Sequence, residues 1–346
     1  MTSANNVIKS RTYTLTDVRD RIIIHGRSGE TDGCLFFDHT AAGIEFTAYA
    51  QGEVKLSVLQ TGSADSVSYY TIWIDGIRQE PRLCCANHVF EAFPIATFAE
   101  GGVHTIRVLK ACEMGVSQSV FKELFFTGYL MDPPKKSDLY IEFLGDSITS
   151  GYGNVMYTEG VGDLNASPVS AVNSDGTQAW AFLTAEKLNA RCTIVSDSGI
   201  GVVYEHGMVP GRRMFNFWRY NSYARQDLGK FKPVEAPNII VINLGTNDRM
   251  NNTDNQAMVA GTKELITLLR TTYGKAIPIV WASGMMDGAK EEQVRQALNE
   301  LGGEEAGLYS LDLIVVDAAG GGHPGPKGHI ENANILVNFL TSKRLV

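Results

Sequence analysis

Residues 139–153 read LYIEFLGDSITSGYG. An apolar run of strand length ends at Gly145, and an acid, a serine and a short helix-compatible stretch follow it at once. Three more apolar runs of that length, 192–196, 239–244 and 277–282, come after it, separated by segments whose apolar residues fall three and four apart. The helical segments are 177–189, 253–273, 289–301 and 327–343, and Thr253 with Gln256 has the spacing of a capping box. Strands alternating with helices in this order predict an α/β domain built on a doubly wound parallel sheet, covered by helices on both faces.

Upstream the pattern differs. Between Thr12 and Tyr129 there are short runs rich in β-branched and aromatic residues, among them 21–25, 43–48, 54–60, 69–74, 104–110 and 124–130. Val54, Leu56 and Val58 alternate with Glu53, Lys55 and Ser57, the period of a strand with one buried face. IDG at 74–76 and EGG at 100–102 read as turns. This half is expected to be an all-β sandwich of jelly-roll type. The stretch MDPPKKSD at 131–138 suits an exposed connection, so the predicted domains are 1–132 and 133–346.

Composition narrows the functional classes. The 346 residues are 44% hydrophobic and 20% charged, with a formal net charge of −8. No Lys/Arg-rich run is available to neutralise phosphates, which makes nucleic acid a poor partner. No apolar stretch approaches the ~20 residues that cross a bilayer, so no membrane partner is expected. The N-terminal residues lack the apolar core of a secretory leader, and the expected location is cytoplasmic. Five cysteines in no CxxC spacing point to neither a disulfide framework nor a zinc site.

In an open parallel sheet, reactive groups belong where strands end and helices begin. Four polar clusters stand at such ends. The first holds Gly145, Asp146 and Ser147, with Ser147 near a helix start. The second is SDSGIG at 196–201, where a glycine lets a backbone N–H approach a reacting oxygen. The third is NLGTND at 243–248, in which Asn247 offers a side-chain N–H and Asp248 is expected to hold the turn by accepting backbone N–H groups. The fourth is GGGHPGPKGH at 320–329. A serine hydroxyl is a weak nucleophile that needs a base within hydrogen-bond reach, and His323 is the stronger candidate. His329 falls inside a predicted helix and reads as a structural residue.

These four blocks, in this order, resemble those of the SGNH or GDSL hydrolases. The GDSITSGYGN stretch, preceded by some 130 β-rich residues, is similar more specifically to the family 2 carbohydrate esterases, which deacetylate xylan and other acetylated sugars. The resemblance implies Ser147 as nucleophile, His323 as base, and an oxyanion hole of the Ser147 N–H, Gly199 or Gly201, and Asn247. It implies acyl transfer through an acetyl-serine with no metal or organic cofactor, and an acetylated oligosaccharide as substrate. One position departs from the wider pattern: Gly320 stands where an acid usually precedes the histidine by three residues. Some family 2 esterases orient the histidine with a backbone carbonyl, and a Ser–His dyad is expected here, with Asp317 as the alternative orienter. Tyr152, Tyr204, Trp218 and Trp281 are candidate sugar contacts, because sugar rings present apolar faces to aromatic side chains. Two other readings remain: a lipase-like or thioesterase enzyme with a deep acyl pocket, and a carbohydrate-binding protein with a vestigial hydrolase domain.

Overall fold

The structure is a computed structural model that describes residues 8–62, 66–209, 211–274, 277–286 and 288–346. Among them, ten antiparallel strands form one continuous sheet up to Leu130, and a five-stranded parallel sheet begins at Tyr140. The runs 43–48 and 54–60 are not two strands. They are the ends of a single strand, Gly43–Gln60, paired along its length with Glu91–Lys110. The EGG of residues 100–102 is therefore no turn. It lies inside the partner strand, opposite a register shift between Ala50 and Gly52, where glycine accommodates a bulge. Val54, Leu56 and Val58 are fully buried in the core of this sheet, as their alternation requires.

The parallel strands lie in the order Arg191–Ser196, Tyr140–Gly145, Ile239–Asn243, Ile279–Ser283, Leu308–Asp312. Chain order reverses at Tyr140–Gly145, whose neighbours on its two sides are the second and third strands. The end of that strand is therefore the switch point of the sheet, where backbone donors of diverging loops face one crevice. Edge strand Leu308–Asp312 had no distinct signature in the sequence. Val315 and Val316 are exposed in the loop beyond it.

The helices Trp180–Lys187, Asn255–Tyr273, Glu291–Glu300 and Pro326–Ser342 fill the four segments expected. The capping box does not form at the second of these. Asp254 is the N-cap and accepts the N–H of Ala257 at 3.0 Å. No described helix is long and apolar enough to cross a membrane.

The two sheets share a core. Ala41, Trp73 and Leu109 of the β-rich half are buried with Ile141, Phe143 and Trp180 of the α/β half. Charged contacts also cross between them. Arg27 reaches Glu142 at 2.9 Å, with both side chains almost wholly buried, and Arg78 reaches Asp175 at 2.7 Å.

Candidate active site

The strand Tyr140–Gly145 delivers Ser147 to the switch point through a tight turn into a one-turn helix. A Cβ on Gly145 would sit 2.0 Å from Thr149 Oγ1, so the position demands glycine. Asp146 caps the one-turn helix Ser147–Ser150 by accepting the Ile148 N–H at 3.0 Å. Gly151 ends that helix in the left-handed region at φ 79°. Ser147 is left 8% exposed, enough for its hydroxyl to face the crevice.

His323 comes from the far end of the chain. The run Gly320–Gly322 turns with φ of 63° at Gly321 and 76° at Gly322, and the Gly320 N–H is bound by the Gly153 carbonyl at 3.1 Å. This places His323 Nε2 2.8 Å from Ser147 Oγ. The other ring nitrogen, Nδ1, faces the Gly321 carbonyl at 3.4 Å. Tyr152 packs on the imidazole, ring centres 4.2 Å apart and planes tilted by 30°. Burial lowers the His323 pKa from its ordinary 6.5, while the Gly321 and Gly320 carbonyls pull it part of the way back. The imidazole is thereby kept neutral near pH 7 and able to accept a proton.

Asp317 does not orient His323. Its carboxylate is taken up by the N–H groups of Gly325 at 3.1 Å, Lys327 at 3.2 Å and Gly328 at 2.7 Å, the open donors at the start of helix Pro326–Ser342. His329 is buried, and its Nδ1 accepts the Trp180 N–H at 3.1 Å, so it serves the start of another helix.

The second and third blocks meet beside Ser147. Asp248 accepts the N–H groups of Val202 at 2.8 Å and Val203 at 2.9 Å. It thus holds the second block's loop rather than its own turn. Asn247 Nδ2 donates to the Ile200 carbonyl at 3.0 Å and to Asp146 Oδ2 at 3.2 Å. Burial pushes the Asp146 carboxyl up to about 7, against the Ile148 N–H bond. Among the described residues the N–H groups of Gly199 and Gly201 meet no backbone or side-chain acceptor.

Two of the four aromatic candidates are not at the crevice. Trp281 is fully buried in strand Ile279–Ser283, its indole N–H bound to the Leu244 carbonyl at 3.2 Å. Trp218 is 1% exposed; its indole N–H binds Glu142 at 3.2 Å and Arg27 lies over its ring. Both are core residues. Tyr152 and Tyr204 stay half-buried on loops that follow the first and second blocks. Tyr157, Leu164 and Val169 are exposed on the loop between Gly153 and Asn173. Met156 and Pro168 of that loop touch the Gly320 position next to His323. Nothing in a single chain marks this neighbourhood, because its residues are ordinary loop residues until the fold brings them beside the Gly320 turn.

A parallel sheet with a Ser–His pair at its switch point and three polar loops converging on it is the arrangement of a serine hydrolase. The chain belongs to the GDSL-like Lipase/Acylhydrolase family, whose model matches residues 143–330. It is 31% identical over 202 residues to the cellulase/esterase CelE of Acetivibrio thermocellus, a match covering 55% of this chain and only 24% of that protein. It is 29% identical over 275 residues to the acetylxylan esterase / glucomannan deacetylase of Cellvibrio japonicus, covering 73% of this chain and 72% of the relative. The family two carbohydrate esterase from Clostridium thermocellum, solved in complex with cellohexaose, superposes with a TM-score of 0.82 at 24% identity over 93% of this chain and 99% of that one. At that identity the superposition speaks for the fold.

Proposed function

We propose that this protein is a serine esterase that removes O-acetyl groups from xylan-derived or related acetylated oligosaccharides. The observation that carries the reading is the 2.8 Å contact between Ser147 Oγ and His323 Nε2 at the sheet's switch point. His323 takes the hydroxyl proton as Ser147 attacks the acetyl carbonyl. The same imidazolium then protonates the departing sugar oxygen, leaving an acetyl-serine that water hydrolyses by the reverse proton route. The oxyanion is held by the Ser147 N–H, by Gly199 or Gly201, and by Asn247. Asn247 must exchange its longer bond, to Asp146, for one to the acyl oxygen. The Gly321 carbonyl fixes the imidazole tautomer, making the machinery a dyad.

The relative named an acetylxylan esterase / glucomannan deacetylase supports the acetyl-sugar substrate, and the one named a cellulase/esterase supports ester hydrolysis. A ligand as open and polar as a sugar suits a site at which Tyr152 stands against His323, where an aromatic face can stack on a pyranose ring. A jelly-roll connectivity for the β-rich half belongs to the same reading. Hydrolysis of p-nitrophenyl acetate, butyrate and octanoate side by side tests it. Acetate is expected to lead octanoate by more than tenfold, and equal rates would point to a lipase-like enzyme.

A further inference from the structure

The loop that carries Gly199 and Gly201 is held from outside the α/β half. Its Ser198 N–H is accepted by Glu113 Oε2 at 2.9 Å, and its Asp197 Oδ1 accepts the Gly115 N–H at 2.9 Å. Glu113 and Gly115 lie on the segment joining strands Glu91–Lys110 and Ser119–Leu130 of the β-rich half. That segment is itself locked, since Lys110 Nζ donates to the carbonyls of Cys112 and, at 3.0 Å, Glu113. Glu113 is 2% exposed and Asp197 1%. Arg212 pairs with Asp197 and with Glu205, which closes the loop from its other side. At the loop's far end Asp248 and Asn247 fix Val202, Val203 and Ile200.

The N–H groups of Ser198, Val202 and Val203 on either side of the two glycines are thus tied to carboxylates and that of Ile200 to the Asp197 carbonyl at 3.4 Å, while the N–H groups of Gly199 and Gly201 are left without an acceptor among the described residues. Oxyanion donors stabilise a transition state only when aimed beforehand within a few tenths of an ångström. A buried carboxylate that binds the N–H one residue before Gly199 sets that aim. We propose that Glu113 is a positioning residue of the reaction, through which the β-rich half fixes the oxyanion loop of the α/β half. The inference rests on the esterase reading given above. Burial raises the pKa of both Glu113 and Asp197, the latter to about 7 with Glu113's charge adding to the effect. A neutral amide at 113 should therefore be well accommodated, and glutamine keeps an oxygen acceptor for the Ser198 N–H.

The test compares wild type with Glu113→Gln, Glu113→Leu and Glu113→Asp on p-nitrophenyl acetate, using phenylboronic acid as a tetrahedral serine adduct that fills the oxyanion hole. Losing an oxyanion donor outright costs ~10²–10³ in turnover. Glu113→Leu should lower kcat by about a hundredfold with KM changed less than threefold, and weaken phenylboronic acid by the same factor as kcat. Glu113→Gln should stay within about fivefold of wild type. Should Glu113→Leu fail to fold, Glu113→Asp decides, because it keeps the charge but withdraws the oxygen by one methylene; a loss of about tenfold in kcat is expected. A folded Leu or Asp variant within twofold of wild type overturns the proposal. So does a kcat loss that leaves phenylboronic acid binding unchanged. Ser147→Ala, run alongside, separates the two ideas: if it keeps turnover, the esterase reading itself is at fault.

Discussion

Ser147 and His323 form one chemical unit, since neither the hydroxyl without a base nor the base without a nucleophile performs acyl transfer. Ser147→Ala and His323→Ala should each lower kcat by roughly 10⁴-fold or more, and the double variant should be no worse than Ser147→Ala. Additive losses in the double variant would break the pairing. The acid limb of the pH profile follows from His323, which must be neutral to accept the proton. Burial lowers its pKa below 6.5, so kcat/KM should rise with pH through an apparent midpoint under 6.5 and be lost below it. A limb centred at or above 6.5 in a pH–rate profile would show a more solvated or charge-paired histidine. At this scale the sequence was legible where a residue's role depends on its immediate neighbours, as with Gly145 before Ser147. It was not legible for Trp218, whose indole is claimed by Glu142, 76 residues away. Trp281 lies in a parallel strand covered on both faces, where burial leaves no side free for a sugar.

The elements that present the site are fixed by short polar devices at their ends. Asp317 is one, and its geometry makes it a helix cap rather than a third catalytic group. Asp317→Ala should lower stability by about 0.5–2 kcal/mol, the usual scale for a cap, and leave kcat within tenfold. Thermal unfolding and steady-state kinetics on the same preparation check both halves. A loss of more than a hundredfold in a folded protein would restore Asp317 as the histidine's partner. Strands and helices of the α/β half could be read directly because each has its own periodicity. Their ends were harder, as two adjacent capping candidates, Thr253 and Asp254, compete for the same donors and only one can win. In the β-rich half, glycines at 101 and 102 look the same in a bulge as in a turn, and only the partner strand decides.

On the scale of the whole molecule, the β-rich half is bound to the α/β half by buried charge as well as by shared core. Burial would raise the Asp175 pKa, but Arg82 and Arg78 from the β-rich half more than offset this and hold it below 3.8. A carboxylate depressed in this way stabilises the fold above its unfolded pKa, and the contribution is lost as pH falls below about 3.8 toward the folded value. Asp175→Asn should cost about 3–5 kcal/mol by leaving the buried Arg82 uncompensated, and should flatten the acid side of a stability-versus-pH curve. A change under 1 kcal/mol in denaturant unfolding would mean that the arginines find other partners. Such long-range pairing has no sequence signature, which is why the two halves could be told apart in the sequence while their union could not. The chemistry assigned to Ser147 is measured by acetate release from acetylated xylo-oligosaccharides, comparing wild type with folded Ser147→Ala. Rapid release by wild type and a loss of at least about a thousandfold in the variant are expected; release by the variant within tenfold of wild type, or none by either, would rule out an acetyl-sugar esterase acting through Ser147.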